Sequence, residues 1–158
     1  MKKIFKKFFS VDRIELISKH FNLEDSSILE IGVHRGDFSK ELFEYFNPKK
    51  LVLVDPWITF DDPEYNHSFY GNISKDGQSI QDQYYQEVVN RFSNETQKHK
   101  IEIFRDTSDN FFKANDTKFN LIYIDGNHLC DFVKKDILNS LKFLKKNGVI
   151  VLDDYRLT

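Results

Sequence analysis

The sequence predicts one α/β domain built on a doubly wound, mostly parallel sheet, with strand order 3-2-1-4-5 and helices on both faces. Three observations predict it. Short apolar runs alternate five times with stretches of helical spacing. The first run, Ile28, Leu29 and Ile31, stops at Gly32, and after Gly36 the residues Phe38, Leu42, Phe43 and Phe46 recur at helical spacing. Most of the runs also end at or beside an acid.

The chain's 158 residues match the size of one domain, and 16 Phe with 7 Tyr supply a substantial core. A net charge of −2 gives no bulk attraction to nucleic acid. Cys130 is the single cysteine, so no internal disulfide forms and a cytoplasmic location is expected. No apolar run approaches the roughly 20 residues that a membrane span needs.

Residues 1–25 read as an N-terminal helical segment. Met1 to Phe9 interleave lysines with apolar residues, without the apolar stretch and cleavage site of a signal peptide. Such a segment suits packing on the domain better than contact with a membrane surface, the alternative reading. Val11 to Phe21 carries amphipathic helical spacing. The first strand is Ser27 to Ile31 and its helix runs from about Asp37 to Phe46. Leu51 to Val54 is a fully apolar second strand, as expected for one buried on both faces.

From Ile58 to about Ile80 the pattern dissolves into Asp, Asn, Gly and aromatic residues, which predicts a lid-like loop over a substrate. Helical spacing resumes from Gln81 to Asn94. A third strand (Ile101 to Phe104), a short helix (Thr107 to Ala114) and a fourth strand (Phe119 to Ile124) follow. A helix from Cys130 to Leu144 and a fifth strand from Gly148 to Leu152 close the pattern, with Lys145, Lys146 and Gly148 placed as a helix C-terminus prefers.

The carboxyl ends of parallel strands lie along one edge, so Glu30, Asp55, Asp106, Asp125, Asp153 and Asp154 are expected to gather there. Six acids would repel one another unless hydroxyls, cations or a metal filled the crevice. The glycine spacing does not fit a dinucleotide, because His34 and Asp37 stand where that fingerprint needs glycine and Asp37 would repel a pyrophosphate. A cationic, phosphate-free nucleoside fits better, and S-adenosylmethionine has that chemistry. Asp55 is then placed to accept the ribose hydroxyls, with loop capping as its alternative. Asp106, Thr107 and Ser108 suit the adenine side, although the same triplet is an ordinary helix N-cap.

Asp125, Asp153 and Asp154 offer three hard oxygen donors from neighbouring strand tips, a set that suits Mg²⁺. A metal there could acidify a substrate hydroxyl, and His128, three residues past Asp125, could take its proton.

Glu30-x-Gly32-x-x-x-Gly36 resembles the first motif of class I S-adenosylmethionine-dependent methyltransferases, whose fold is Rossmann-like. The run Phe119 to His128 and the run Leu141 to Tyr155 are more specific. Together with Val54-Asp55-Pro56-Trp57, they resemble the metal-dependent O-methyltransferases of the macrocin O-methyltransferase type. The resemblance implies that Glu30, Gly32 and Gly36 cradle the methionine portion, that Asp55 holds the ribose, and that Asp106 to Ser108 surround the adenine. It implies Asp125, Asp153 and Asp154 as metal ligands, and Asp125 and His128 as catalytic residues. The acceptor implied is a hydroxyl on a sugar or other small molecule.

That family's fold continues past the fifth strand with two more strands, whereas this sequence stops at Thr158. The expectation is that the usual C-terminal strands are missing. The fifth strand would then be an exposed edge through which the chain pairs with a second copy. A non-catalytic S-adenosylmethionine-binding scaffold that self-associates is therefore the alternative function, and an NAD-dependent enzyme is disfavoured by His34 and Asp37.

Overall fold

The structure, a computed structural model, describes residues 13–59 and 77–153. The Lys-rich N-terminus, most of the lid-like loop, Asp154 and Tyr155 lie outside the described residues. The elements run α1 (Arg13–His20), β1 (Ser27–Ile31), α2 (Asp37–Phe46), β2 (Lys50–Val54), α3 (Gly77–Arg91), α4 (Ser93–Gln97) and β3 (Ile101–Phe104). The chain continues through α5 (Ser108–Ala114), β4 (Phe119–Ile124), α6 (Cys130–Lys142) and β5 (Leu144–Leu152).

The five strands form one sheet in the order β3-β2-β1-β4-β5, and every pairing is parallel. The fold class expected from the sequence is the one observed. Alternation of side chains along each strand builds two cores. Ile28, Leu51, Leu53, Leu121 and Tyr123 face α1, α2 and α3, where they meet Ile17, Leu42, Phe46, Val88 and Phe92. Leu29, Ile31, Val52, Val54, Ile122 and Ile124 face the opposite layer, where Phe111 and Phe112 of α5 and Ile137 of α6 cover them.

Several boundaries differ from the expected ones, two of them by more than three residues. The third helix begins at Gly77, inside the stretch read as loop, because Gln78 anchors it by donating from Nε2 to the Trp57 carbonyl at 3.0 Å. Periodicity cannot register such a bond. The fifth strand begins at Leu144 rather than Gly148, and a register shift between Phe119 and Leu121 absorbs the extra length. Asn147, not Gly148, takes the left-handed conformation there (φ 65°), so the expected glycine helix cap does not form. β5 pairs with β4 alone among the described residues, which makes it an edge strand.

Hydrogen bonds carry the sheet past its strand ends on one edge. Gly32 N donates to Val54 O at 2.9 Å, Asp55 N to Phe104 O at 3.2 Å, Asp125 N to Ile31 O at 2.8 Å and Asp153 N to Ile124 O at 3.0 Å. Gly32, Asp55, Asp125 and Asp153 therefore lie on one rim, as parallel strand geometry requires.

Candidate functional site

The rim begins with the turn from β1 into α2. Gly32 (φ 88°) and Gly36 (φ 73°) both take positive φ, which glycine adopts without steric cost. The need for glycine at 32 comes from the protein itself. A Cβ there would lie 2.1 Å from the Asp125 carbonyl oxygen and 2.6 Å from Gly126 Cα. Gly32 thus lets β1 and β4 approach at the rim. His34 lies between the glycines with φ 53°, a non-glycine residue in the left-handed region.

Three groups hold His34 and its neighbours in place. Asp55 Oδ2 accepts from the backbone N–H of Val33 and of His34, both at 2.9 Å, and Asp55 Oδ1 accepts from Trp57 N at 2.8 Å. The Trp57 indole Nε1 donates to the His34 carbonyl at 2.7 Å. From α3, Arg91 Nη1 donates to the Gly36 carbonyl at 3.1 Å and pairs with Asp37 at 2.7 Å.

Asp55 is 1% exposed, and burial raises its pKa against the pull of those backbone donors. Its carboxylate is engaged with the loop, and the residue also lines a hollow at the rim. The sequence reading gave Trp57 a place in a family resemblance but no role, and gave Arg91 neither. Their partners lie 23 and 55 residues away, beyond any local pattern.

Glu30 lies beneath this turn, on the side of the sheet covered by α1 and α2. It is 1% exposed, and its Oε2 reaches no hydrogen-bond partner among the described residues. Burial pushes the Glu30 carboxyl up to about 8, with the Ser39 hydroxyl and Arg13 pulling down and Asp125 and Asp55 pushing further up. A buried carboxyl with an unsatisfied oxygen is costly unless a proton or a cationic ligand meets it.

On the opposite face, a hollow of about 140 Å³ opens at the rim between Ile31, Val54, Thr107, Ser108, Asn127 and Phe132. Thr107 and Ser108 line it. Both also serve the protein: Thr107 Oγ1 caps α5 by accepting from Asn110 N at 3.3 Å, and Ser108 Oγ donates to Asp136 Oδ1 at 2.5 Å. Asp106 is not among the residues of this hollow. It accepts from Asn110 Nδ2 at 2.9 Å, which holds its pKa below the usual carboxylate range.

Asp125 and Asp153 meet at a third place. Arg13 Nη1 lies 2.7 Å from Asp153 Oδ2 and 3.4 Å from Asp125 Oδ2, and it donates to Tyr123 Oη at 3.2 Å. His128 is exposed on the loop between β4 and α6. The acids share one rim and take different partners there. Asp55 binds the loop and also lines the hollow, Asp106 is exposed and bonds to Asn110, and Asp125 and Asp153 converge on Arg13.

With this geometry in view, the comparisons with known proteins become informative. A family model described as "Methyltransferase domain" matches residues 29–155, which run from the β1 glycine turn past the acids after β5. The chain belongs to this methyltransferase family. Its fold is the class I methyltransferase fold found in an rRNA methylase from Streptococcus thermophilus (TM-score 0.58, 13% identity, 88% of this chain and 66% of that one). A conserved hypothetical protein from Streptococcus pyogenes is similar as well (TM-score 0.58, 13% identity, 88% and 71% covered). So is spermidine synthase from Thermotoga maritima (TM-score 0.53, 16% identity, 84% and 38% covered). This methyltransferase domain thus spans about two thirds of the rRNA methylase's length. No curated protein matches the sequence. None of the helices among the described residues is long and apolar enough to cross a membrane.

The residues present fit the family's methyl donor. The orphaned, buried Oε2 of Glu30 is suited to an ammonium group, and the rim hollow with its hydroxyls is suited to a base. The metal set is less complete. Among the described residues, no group of three or more His, Cys, Asp or Glu side chains could hold a metal. Asp125 and Asp153 do supply two oxygens that converge on one cation, and both are the hard donors that Mg²⁺ takes.

Proposed function

We propose that this methyltransferase domain binds S-adenosylmethionine across the tips of β1, β2 and β4. We propose further that it transfers the methyl group to a hydroxyl of a sugar or other small molecule, with help from a divalent cation such as Mg²⁺. The observation that carries the reading is the buried, unsatisfied Glu30 carboxyl beside the Gly32 to Gly36 turn. S-adenosylmethionine supplies a methyl group on a sulfonium, open to in-line displacement.

The chain's own residues then have distinct tasks. Glu30 faces the ammonium end of the donor. Asp55 and Trp57 fix the Val33–His34 backbone against which the donor lies, so Asp55 acts on the donor through the loop. Thr107 and Ser108 line the adenine side. Asp125 and Asp153, with Asp154, hold the cation, which would orient and acidify the acceptor hydroxyl. His128 takes the proton released from that hydroxyl, since an exposed imidazole can pass it on to solvent. Much of the acceleration then comes from holding the acceptor oxygen in line with the methyl group.

RNA is the other acceptor class, because it is what the similar Streptococcus thermophilus protein is named for. A net charge of −2 supplies no sequence-independent attraction to phosphates, which favours the small acceptor.

Radiolabelled S-adenosylmethionine offered with a panel of sugars, polyols and phenols tests the reading. The expected result is transfer to a small hydroxyl compound, cut at least tenfold by a chelator. The Asp153→Asn, Asp154→Asn double variant should retain only the chelator-resistant remainder. Full transfer by that variant in the presence of chelator would contradict the metal role, and transfer to RNA alone would contradict the acceptor.

A further inference from the structure

The cation position between Asp125 and Asp153 is filled by the protein's own side chain. One nitrogen, Arg13 Nη1, lies within reach of an oxygen from each carboxylate, at 2.7 Å and 3.4 Å. The guanidinium is supported from two other sides. Its carbon stands 4.1 Å from the centre of the Phe38 ring, within cation–π range, and Nη1 donates to Tyr123 Oη. Burial drives the Tyr123 phenol well above its ordinary range, so it is an uncharged partner there.

A hard divalent ion needs its oxygen ligands at about 2.0–2.1 Å. Arg13 Nη1 already lies against the same two oxygens, so the ion would sit within a few ångströms of a guanidinium. Two positive charges cannot share that position at low cost. Arg13 also opens α1, so the contact ties that helix to the tips of β4 and β5.

Resting on the metal reading above, we infer that Arg13 is a built-in counter-ion of the Asp125–Asp153 pair which a divalent cation must displace. Metal loading therefore frees the start of α1 from the strand tips. In the metal-free protein Arg13 relieves the repulsion between the two carboxylates. On loading, the ion takes over both oxygens and the guanidinium is released to solvent.

The test is calorimetric titration of Mn²⁺ into the wild-type chain and into the Arg13→Ala, Arg13→Lys and Asp153→Asn variants, each first shown to be folded by circular dichroism. Arg13→Ala is expected to bind Mn²⁺ at least tenfold more tightly than wild type. Arg13→Lys, which keeps the charge, is expected to stay within about threefold of wild type, and Asp153→Asn to lose binding. Equal affinities for wild type and Arg13→Ala would overturn the inference while leaving the metal reading intact. Absence of Mn²⁺ binding in both would overturn the metal reading and the inference with it.

Discussion

Replacing Gly32 by alanine is expected to destabilise the domain by about 4 kcal/mol and to abolish binding of S-adenosylhomocysteine. The added Cβ would lie 2.1 Å from the Asp125 carbonyl oxygen and 2.4 Å from its carbon, both backbone atoms that no rotamer change can move. Relief requires β1 and β4 to separate at the rim, breaking the bond from Asp125 N to Ile31 O. Overpacking of this kind typically costs 1–3 kcal/mol, and a non-glycine residue at φ 88° adds roughly 1–3 kcal/mol. Urea unfolding measures the loss. With a slope of about 2 kcal/mol per molar, the midpoint should fall by roughly 2 M. Gly36→Ala is the internal control. Its Cβ would meet side chains rather than backbone, Phe92 and Val88 at 3.2 Å and Ser39 Oγ at 3.8 Å, and so it should cost clearly less.

The second large effect is a pH dependence centred on Glu30. Its folded-state pKa of about 8 lies above the unfolded value, so the folded protein retains a proton that the unfolded chain has lost. The stability tied to this group is complete below the unfolded pKa near 4.5. It declines as pH rises, and has gone once pH passes about 8. At 1.36 kcal/mol per unit the loss across this window is roughly 5 kcal/mol, and Glu30→Gln should flatten the profile. Ligand binding runs the other way. An ammonium beside Glu30 favours the carboxylate, so binding expels a proton, and affinity should climb from pH 6 to pH 8 before levelling off. Calorimetry in buffers of different ionisation enthalpy should register close to one proton released at pH 7. A flat affinity profile, or the same profile in Glu30→Gln, would remove Glu30 from the ligand's surroundings.

The fold was legible in the sequence because parallel strands advertise themselves. Ser27–Ile31, Ile101–Phe104 and Phe119–Ile124 are apolar runs with clear stops, and their boundaries match the structure. The rim followed from the same logic, since parallel strands must end together. What each acid does at the rim was not legible. Asp55 had two chemically equivalent partners to choose between, a ligand's hydroxyls or its own loop's N–H groups, and residue type cannot separate them. Its three backbone bonds show that the loop is one of them.

Arg13 is the clearest case of a residue that local pattern could not reveal. It precedes its partners Asp125 and Asp153 by 112 and 140 residues, so helical spacing gave it no role beyond a place in the helix expected from Val11 to Phe21. With Asp154, the two acids read as a set of three ligands for a metal. Only the fold brings a guanidinium between them. Strand ends fared similarly: in β5, Asn147 rather than Gly148 took the left-handed position, inside a strand that starts before the apolar run and shifts register against β4.

The rim of β1, β2 and β4 is the proposed site for a cationic nucleoside. Calorimetric titration of the wild-type chain with S-adenosylhomocysteine, and separately with NAD, tests it most directly. One S-adenosylhomocysteine bound per chain, with no heat from NAD, is the predicted result. Binding of NAD in preference, or of neither compound, would contradict it.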